Sequence, residues 1–294
     1  MSKQFAQSLI SPMRWRGLFG LVCACAIAVG SESDQLANYF HQIENSTYPR
    51  SKQLLADAWR QVDPRTVDLA HEIPVFQDAI KSGNQTALEA ALEIALQILR
   101  VRADEESTAQ FKALAPTLRE VLWKARSESL IVNGERQPLT NLIRAKSIDL
   151  MTRSGVRLED REVTWAAKTV HQAADDRITL MLVDSLGRSA NQGTDAVSAL
   201  VEAARSSPRA AIRGHAIDSL IHLGQRSNEV EGAVLAGLSD PDAHVRAQAA
   251  TAAGQFRILG AVAKLQILTP DPAEDVRREA TNALSKVKVP VENQ

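Results

Sequence analysis

Apolar residues in the second half of the chain fall at helical spacing, stop, and begin again. Counting from Ile143, Ile178, Ile212, Val245 and Val276 as position zero, the starts are separated by 35, 34, 33 and 31 residues. Position four is Ser147, Leu182, Ala216, Ala249 and Ala280, and position eight is Met151, Leu186, Leu220, Ala253 and Leu284. Residues four apart lie on one side of a helix, so each unit is predicted to open with an amphipathic helix. The small residues at position four leave room for a neighbouring helix. Between these helices lie second apolar-striped runs, "REVTWAAKTVHQA", "DAVSALVEAARSS", "VEGAVLAGLSD" and "AVAKLQILTPD". The predicted unit is helix, turn, helix, turn. One such pair cannot bury both apolar sides, so the units must stack, giving an all-α fold, an α-solenoid of antiparallel helix pairs.

Proline marks the joints. Pro208, Pro241 and Pro272 each stand four residues before a position zero. Lacking an amide hydrogen, proline is expected in the first turn of the helix that follows. Asp240 and Asp271 just before it are expected to cap that helix. The unit at Ile178 lacks the proline, and in the unit at Ile143 it moves to Pro138.

The first half is helical in pattern without this register. "TALEAALEIALQILRVR" places Leu88, Ala91, Leu92, Ala95 and Leu99 on one stripe and Glu89 and Glu93 off it. Thr86 with Glu89 reads as its capping box. A following run, "ESTAQFKALAPTLREVLWKARS", is expected to bend or split at Pro116, and Pro49, Pro64 and Pro74 to separate short helices earlier on. "VNGERQP" is the strongest turn signal and sets an internal boundary. The expected organisation is therefore 1–30 leader, 31–135 helical region, 136–289 repeats and 290–294 tail. The 31–135 region reads equally as degenerate repeats or as a separate cap.

Two phrases carry a resemblance. "LSDPDAHVRAQAATAAG" and "LTPDPAEDVRREATNAL" are similar to the short bacterial HEAT-like repeat of the kind found in phycobilisome (PBS) lyases, over about residues 138–288. The chain departs from that pattern at Thr179, where arginine is expected, and at Ser285, where glycine is expected. The resemblance implies that Arg246 and Arg277 are structural and reach acids of a neighbouring turn, with Asp240, Asp242 and Asp271 as candidates. It also implies that the second helices line the concave side, where Lys168, Glu202, Arg205 and Lys264 are candidate partner-binding residues.

Composition agrees with packed helices: 45% hydrophobic residues can fill a core, and 4% aromatics oblige it to use mainly Leu, Ile, Val and Ala. A net charge of −1 offers no basic footprint for nucleic acid. The opening reads as a secretory signal, with Lys3, Arg14 and Arg16 ahead of the uncharged "GLFGLVCACAIAVG". Small residues for cleavage occur in Ala26-Ile27-Ala28 and Ala28-Val29-Gly30. Without residues 1–30 the chain keeps 31 basic and 35 acidic residues and neither cysteine. Two alternatives stand: acylation of Cys25, preceded by Ala24, and an uncleaved N-terminal anchor, which would be the chain's contact with a membrane.

No residue pattern points to catalysis. His41, His71, His171, His215, His222 and His244 show no helical zinc spacing, and no P-loop, nucleophile elbow or dinucleotide fingerprint occurs. His215 and His222 share a helix side, and Asp175-Asp176 and Glu105-Glu106 read as helix termini or turns. Some enzymes of the resembled family bind iron through repeated His-Glu pairs; His71-Glu72 stands alone here, so that activity is not carried over. The expectation is an exported, non-enzymatic scaffold or adaptor for a protein or peptide, without cofactor. The alternative is an enzyme or enzyme accessory similar to the chromophore lyases.

Overall fold

The computed structural model describes residues 32–44, 63–124, 129–132, 135–173, 175–189 and 194–287. The leader with Cys25, Pro49 and the tail lie outside the described residues. Five helices come first: α1 Glu32–Glu44, α2 Leu69–Lys81, α3 Gln85–Val101, α4 Glu105–Lys112 and α5 Ala115–Leu122. A hairpin, β1 Ser129–Val132 and β2 Glu135–Pro138, leads into α6 Leu139–Arg153, α7 Asp160–Gln172, α8 Asp176–Arg188 and α9 Thr194–Ser206. Then follow α10 Ala210–Leu223, α11 Asn228–Gly237, α12 Ala243–Gln255, α13 Val262–Leu268 and α14 Glu274–Val287. Among the described residues no helix is long and apolar enough to cross a membrane.

From α6 onward the helices form two layers. The first helices of the units, α6, α8, α10, α12 and α14, pack each on the next, and α7, α9 and α11 do the same in the second layer. Ile143, Ile178, Ile212, Val245 and Val276 are all buried, as are the five residues at position four. Small residues set the spacing: a methyl added at Gly187 would fall 2.6 Å from Ser219 Cβ, and one at Gly254 would fall 2.8 Å from Ala283 Cα. These pairs place position nine of one first helix against position seven of the next. Ala249 at position four instead meets the second layer, 2.9 Å from where a Cβ on Gly237 would stand.

The joints differ from the expectation. α10, α12 and α14 begin two residues after Pro208, Pro241 and Pro272, so these prolines lie in the turn and not in the first helical turn. A residue before proline is held in extended backbone. Asp240 and Asp271 therefore do not cap the helices; each accepts from the amide two residues on, Asp242 N and Ala273 N, both at 2.9 Å. Asp242 is the cap of α12, accepting from His244 N at 2.9 Å and Val245 N at 3.3 Å.

The first half corrects two further readings and adds a strand pair at a third. Asn84, not Thr86, caps α3, because its side chain already accepts from Thr86 N at 2.9 Å and Ala87 N at 3.0 Å. Pro74 sits inside α2 and does not end a helix. "VNGERQP" falls in a β-hairpin, the one strand pair among the described residues, with Ser129 opposite Pro138 and Val132 opposite Glu135. Pro116 does split its segment, standing at the start of α5.

The front helices pack around aromatics. Phe76 is fully buried and meets Phe40 and Phe111 edge to face, each at 5.7 Å between centroids. α3 is buried on most of its circumference and packs on α6. One continuous apolar core runs from Leu36 to Val287.

Candidate interaction surface

The residue after each position zero governs the turn edge of the array. Arg246 lies on α12 and forms two parallel bonds to Asp271, at 2.9 and 3.0 Å. Its other nitrogen donates to the carbonyls of Asp240 and Pro241, both at 2.9 Å. One guanidinium thus ties its own turn to the next one. Arg213 repeats this one unit earlier, with 2.7 Å bonds to both oxygens of Asp240 and 2.9 Å to the carbonyl of Ser207. Arg277 donates to the carbonyls of Asp271 and Pro272, at 2.7 and 2.9 Å. Arg213 belongs to the same series as Arg246 and Arg277 by sequence register, a signal that the two aligned phrases alone do not display.

These rungs also fix the charge state of their acids. The bond from Arg246 holds the Asp271 carboxyl below the ordinary carboxylate range, against a smaller opposing effect of burial. At Asp240 burial pushes the carboxyl up most strongly. The bonds from Arg213 and the Asp242 amide outweigh it and leave it low.

The first unit uses its arginine differently. Arg144 donates to the carbonyl of Leu122 at 3.0 Å and lies 5.2 Å from the Trp123 ring and 5.7 Å from the Trp165 ring. Arg161 stacks on Trp123 at 4.1 Å. Burial, and then the nearby charge of Arg161, lower the pKa of Arg144 from its usual value.

At Thr179 the series breaks, and a cleft of about 320 Å³ opens there. Thr179, Ala173 and Asp176 line it together with Ser207, Pro208 and Arg209. On the rim His171 Nε2 meets Glu202 at 3.4 Å and Arg209 meets Asp176 at 3.1 Å. These side chains are 31–65% exposed, so the cleft holds no dry charged group. Asp175 behind it caps α8, and the bonds from Arg177 hold its carboxyl low.

The four partner-binding candidates spread along the second layer and do not converge. Lys168 is exposed on α7, and Glu202 stands on the cleft rim. Arg205 donates to the carbonyl of Glu229 at 3.1 Å and lies against Gly232, while Lys264 donates to Ser239 at 2.7 Å. Each of these last two joins one unit to the next. His215 faces Asp184 at 2.9 Å and His222 faces the Asp218 carbonyl at 2.9 Å, so the two histidines serve separate contacts. His71 is exposed while Glu72 is buried. Among the described residues no group of three or more His, Cys, Asp or Glu side chains is placed to hold a metal ion.

Residues 231–292, from within α11 past α14, match the family described as HEAT repeats. No curated protein matches the chain. Among solved structures, human deoxyhypusine hydroxylase in complex with glycerol is similar at 15% identity and a TM-score of 0.30, covering 87% of this chain and 96% of that one. The HEAT-repeat match falls on the two units in which the proline, aspartate and arginine of the turn are all present.

Proposed function

We propose that the protein is an exported, non-enzymatic scaffold that holds a protein or peptide along the second layer of its HEAT-like array. The continuity of that layer's polar surface carries the reading. Thr164 on α7 meets Asp195 on α9 at 3.1 Å, His171 meets Glu202 across the same pair, and Arg205 joins α9 to the start of α11. Exposed side chains of successive units therefore abut, which suits recognition of an extended partner by many shallow contacts. Export rests on the charge and apolar pattern of residues 1–30, with acylation at Cys25 as the variant form.

The test uses the chain from Ser31 onward with a photoreactive residue at Lys168, Glu202 or, on the first layer, Thr281. Crosslinks to a partner from the first two and not from Thr281 are expected in extracts of the native host. Equal labelling from all three, or none, defeats the reading. Intact mass of the native protein checks export separately. A start near Val29 or Ser31 agrees with cleavage, a diacylglycerol on Cys25 with the variant form, and a soluble chain beginning at Met1 with neither.

A further inference from the structure

The cleft at Thr179 is where the rung of the array is missing. In the two complete rungs an arginine one residue past position zero reaches backbone carbonyls five or six residues earlier. It also reaches the carboxylate that precedes the next proline. At the Ile178 unit both members change together. Thr179 stands where the arginine belongs, and Ser207, just before Pro208, stands where Asp240 and Asp271 stand before theirs. The carbonyl six residues before Thr179 is that of Ala173. Ala173, Thr179 and Ser207 all line the cleft. The open volume thus spans the same two turns that a guanidinium bridges elsewhere.

From this correspondence, and resting on the scaffold reading above, we infer that the cleft receives an arginine side chain from the bound partner. The partner's guanidinium takes the place of the missing one, donating to the Ala173 carbonyl and to Ser207 Oγ. Ser207 Oγ already accepts from the Arg209 amide at 3.3 Å, and its second lone pair serves the incoming donor. Glu202 and Asp176 supply carboxylates at the rim, each shared with a neighbour, His171 and Arg209 respectively. A volume of about 320 Å³ lies at the lower end of the range for ligand pockets, ~300–1,000 Å³, enough for one side chain. Arginine fits better than lysine because two acceptors in separate turns call for a planar fork with several donors.

The probe is the capped tripeptide Gly-Arg-Gly, titrated into the full chain and followed by amide NMR shifts. Saturable shifts at Ala173, Thr179, Ser207 and Arg209, with dissociation in the millimolar range, are expected. The citrulline tripeptide, equal in shape and uncharged, should give none. Ser207→Asp restores the acid of the complete rungs and should tighten the arginine tripeptide on the order of tenfold, as a charge-assisted bidentate pair would. Thr179→Arg should occupy the cleft and abolish the shifts. Combined with Ser207→Asp, it should raise the melting temperature above the sum of the two single changes. Equal shifts with citrulline, no tightening in Ser207→Asp, or additive melting temperatures would overturn the inference. If Thr179→Arg does not fold, the Ser207→Asp titration decides alone. A partner captured equally by wild type and Thr179→Arg would overturn the cleft's role and leave the scaffold reading standing. Tripeptide binding without any partner crosslinks would do the reverse.

Discussion

The last units and the front of the molecule solve the same problem, joining one helix pair to the next, by different means. Behind residue 207 the joints are made of small residues and of a repeated polar link. Gly254 admits the Ala283 backbone, and Arg246 ties its own turn to Asp271. In front, the joint between α3 and α6 is an ion triad around a buried lysine. Lys146 lies 3.0 Å from Glu89 and 2.8 Å from Glu93 and is 6% exposed. Burial opposes its charge most strongly, yet the two glutamates outweigh it and raise its pKa. On α6 itself, Asp149 is likewise enclosed, accepting from Arg153 and from Arg188 on α8. A repeated joint works with contacts that any unit can supply. A singular joint depends on partners found once in the chain, so its loss has no substitute.

Breaking the singular parts should therefore cost most. Phe76→Ala empties a fully buried site between two rings and should destabilise by about 3–5 kcal/mol. Denaturant unfolding reads this, and hydrogen exchange should show protection lost over α2 to α5 before α12 and α14. Uniform loss would show that the front does not behave differently from the back. Lys146→Ala leaves Glu89 and Glu93 facing each other without their cation. Removing one partner of a buried pair costs about 3–5 kcal/mol, and the partial exposure of the glutamates places this variant at the lower end. Lys146→Arg should recover part of that loss, and no recovery would point to packing in place of charge.

In the repeated part the effects are smaller. Ala249→Leu drives a larger side chain toward Gly237 and Ile217 and should cost about 1–3 kcal/mol, read as a lower melting temperature. Protection should fall in α10 and α14 along with α12, because units stabilise their neighbours. Acid acts on the rungs next. Asp240 and Asp271 have lowered carboxyl pKa values, so their stabilisation is complete above the ordinary value of about 3.9 and is lost as pH falls through the depressed one. Exchange protection at α12 and α14 should drop as the pH falls below the ordinary carboxylate value of about 3.9, and Asp271→Asn should flatten that dependence. Arg246→Lys is the mildest change, keeping the charge and losing the fork, at about 1 kcal/mol. A larger penalty than Ala249→Leu would reverse the ranking of packing over rung.

What was legible in the sequence follows the same division. Position zero could be read because each buried residue repeats a neighbour's chemistry at nearly constant spacing. Arg246 and its acids were readable for that reason, although choosing among Asp240, Asp242 and Asp271 required the fold. Lys146 with Glu89 could not be read: the two are 57 residues apart, and nothing repeats the pairing. Glu89 and Glu93 sit off the apolar stripe, and Lys146 of a second helix meets them there. The cap of α3 failed because Asn84 and Thr86 both suit the role and are two residues apart. At the cleft the signal was present in halves. Thr179 stood out as a departure from the pattern, but its meaning depends on Ser207, which only the stacking brings opposite.

The forward reach of each arginine has a consequence for how such a chain changes over generations. Every complete rung runs from a first helix to the aspartate before the next proline, and Asp240 and Asp271 are interchangeable as acceptors. Excision of the 31 residues from Asp240 to Pro270 would present Asp271 to Arg213 in the geometry that Asp240 now occupies. Duplication of the same segment would insert a unit already equipped with both a donor and an acceptor. The segment that keeps one donor and one acceptor together thus runs from turn to turn and not from helix start to helix end. An array of this kind lengthens or shortens by whole steps while its existing surfaces keep their neighbours.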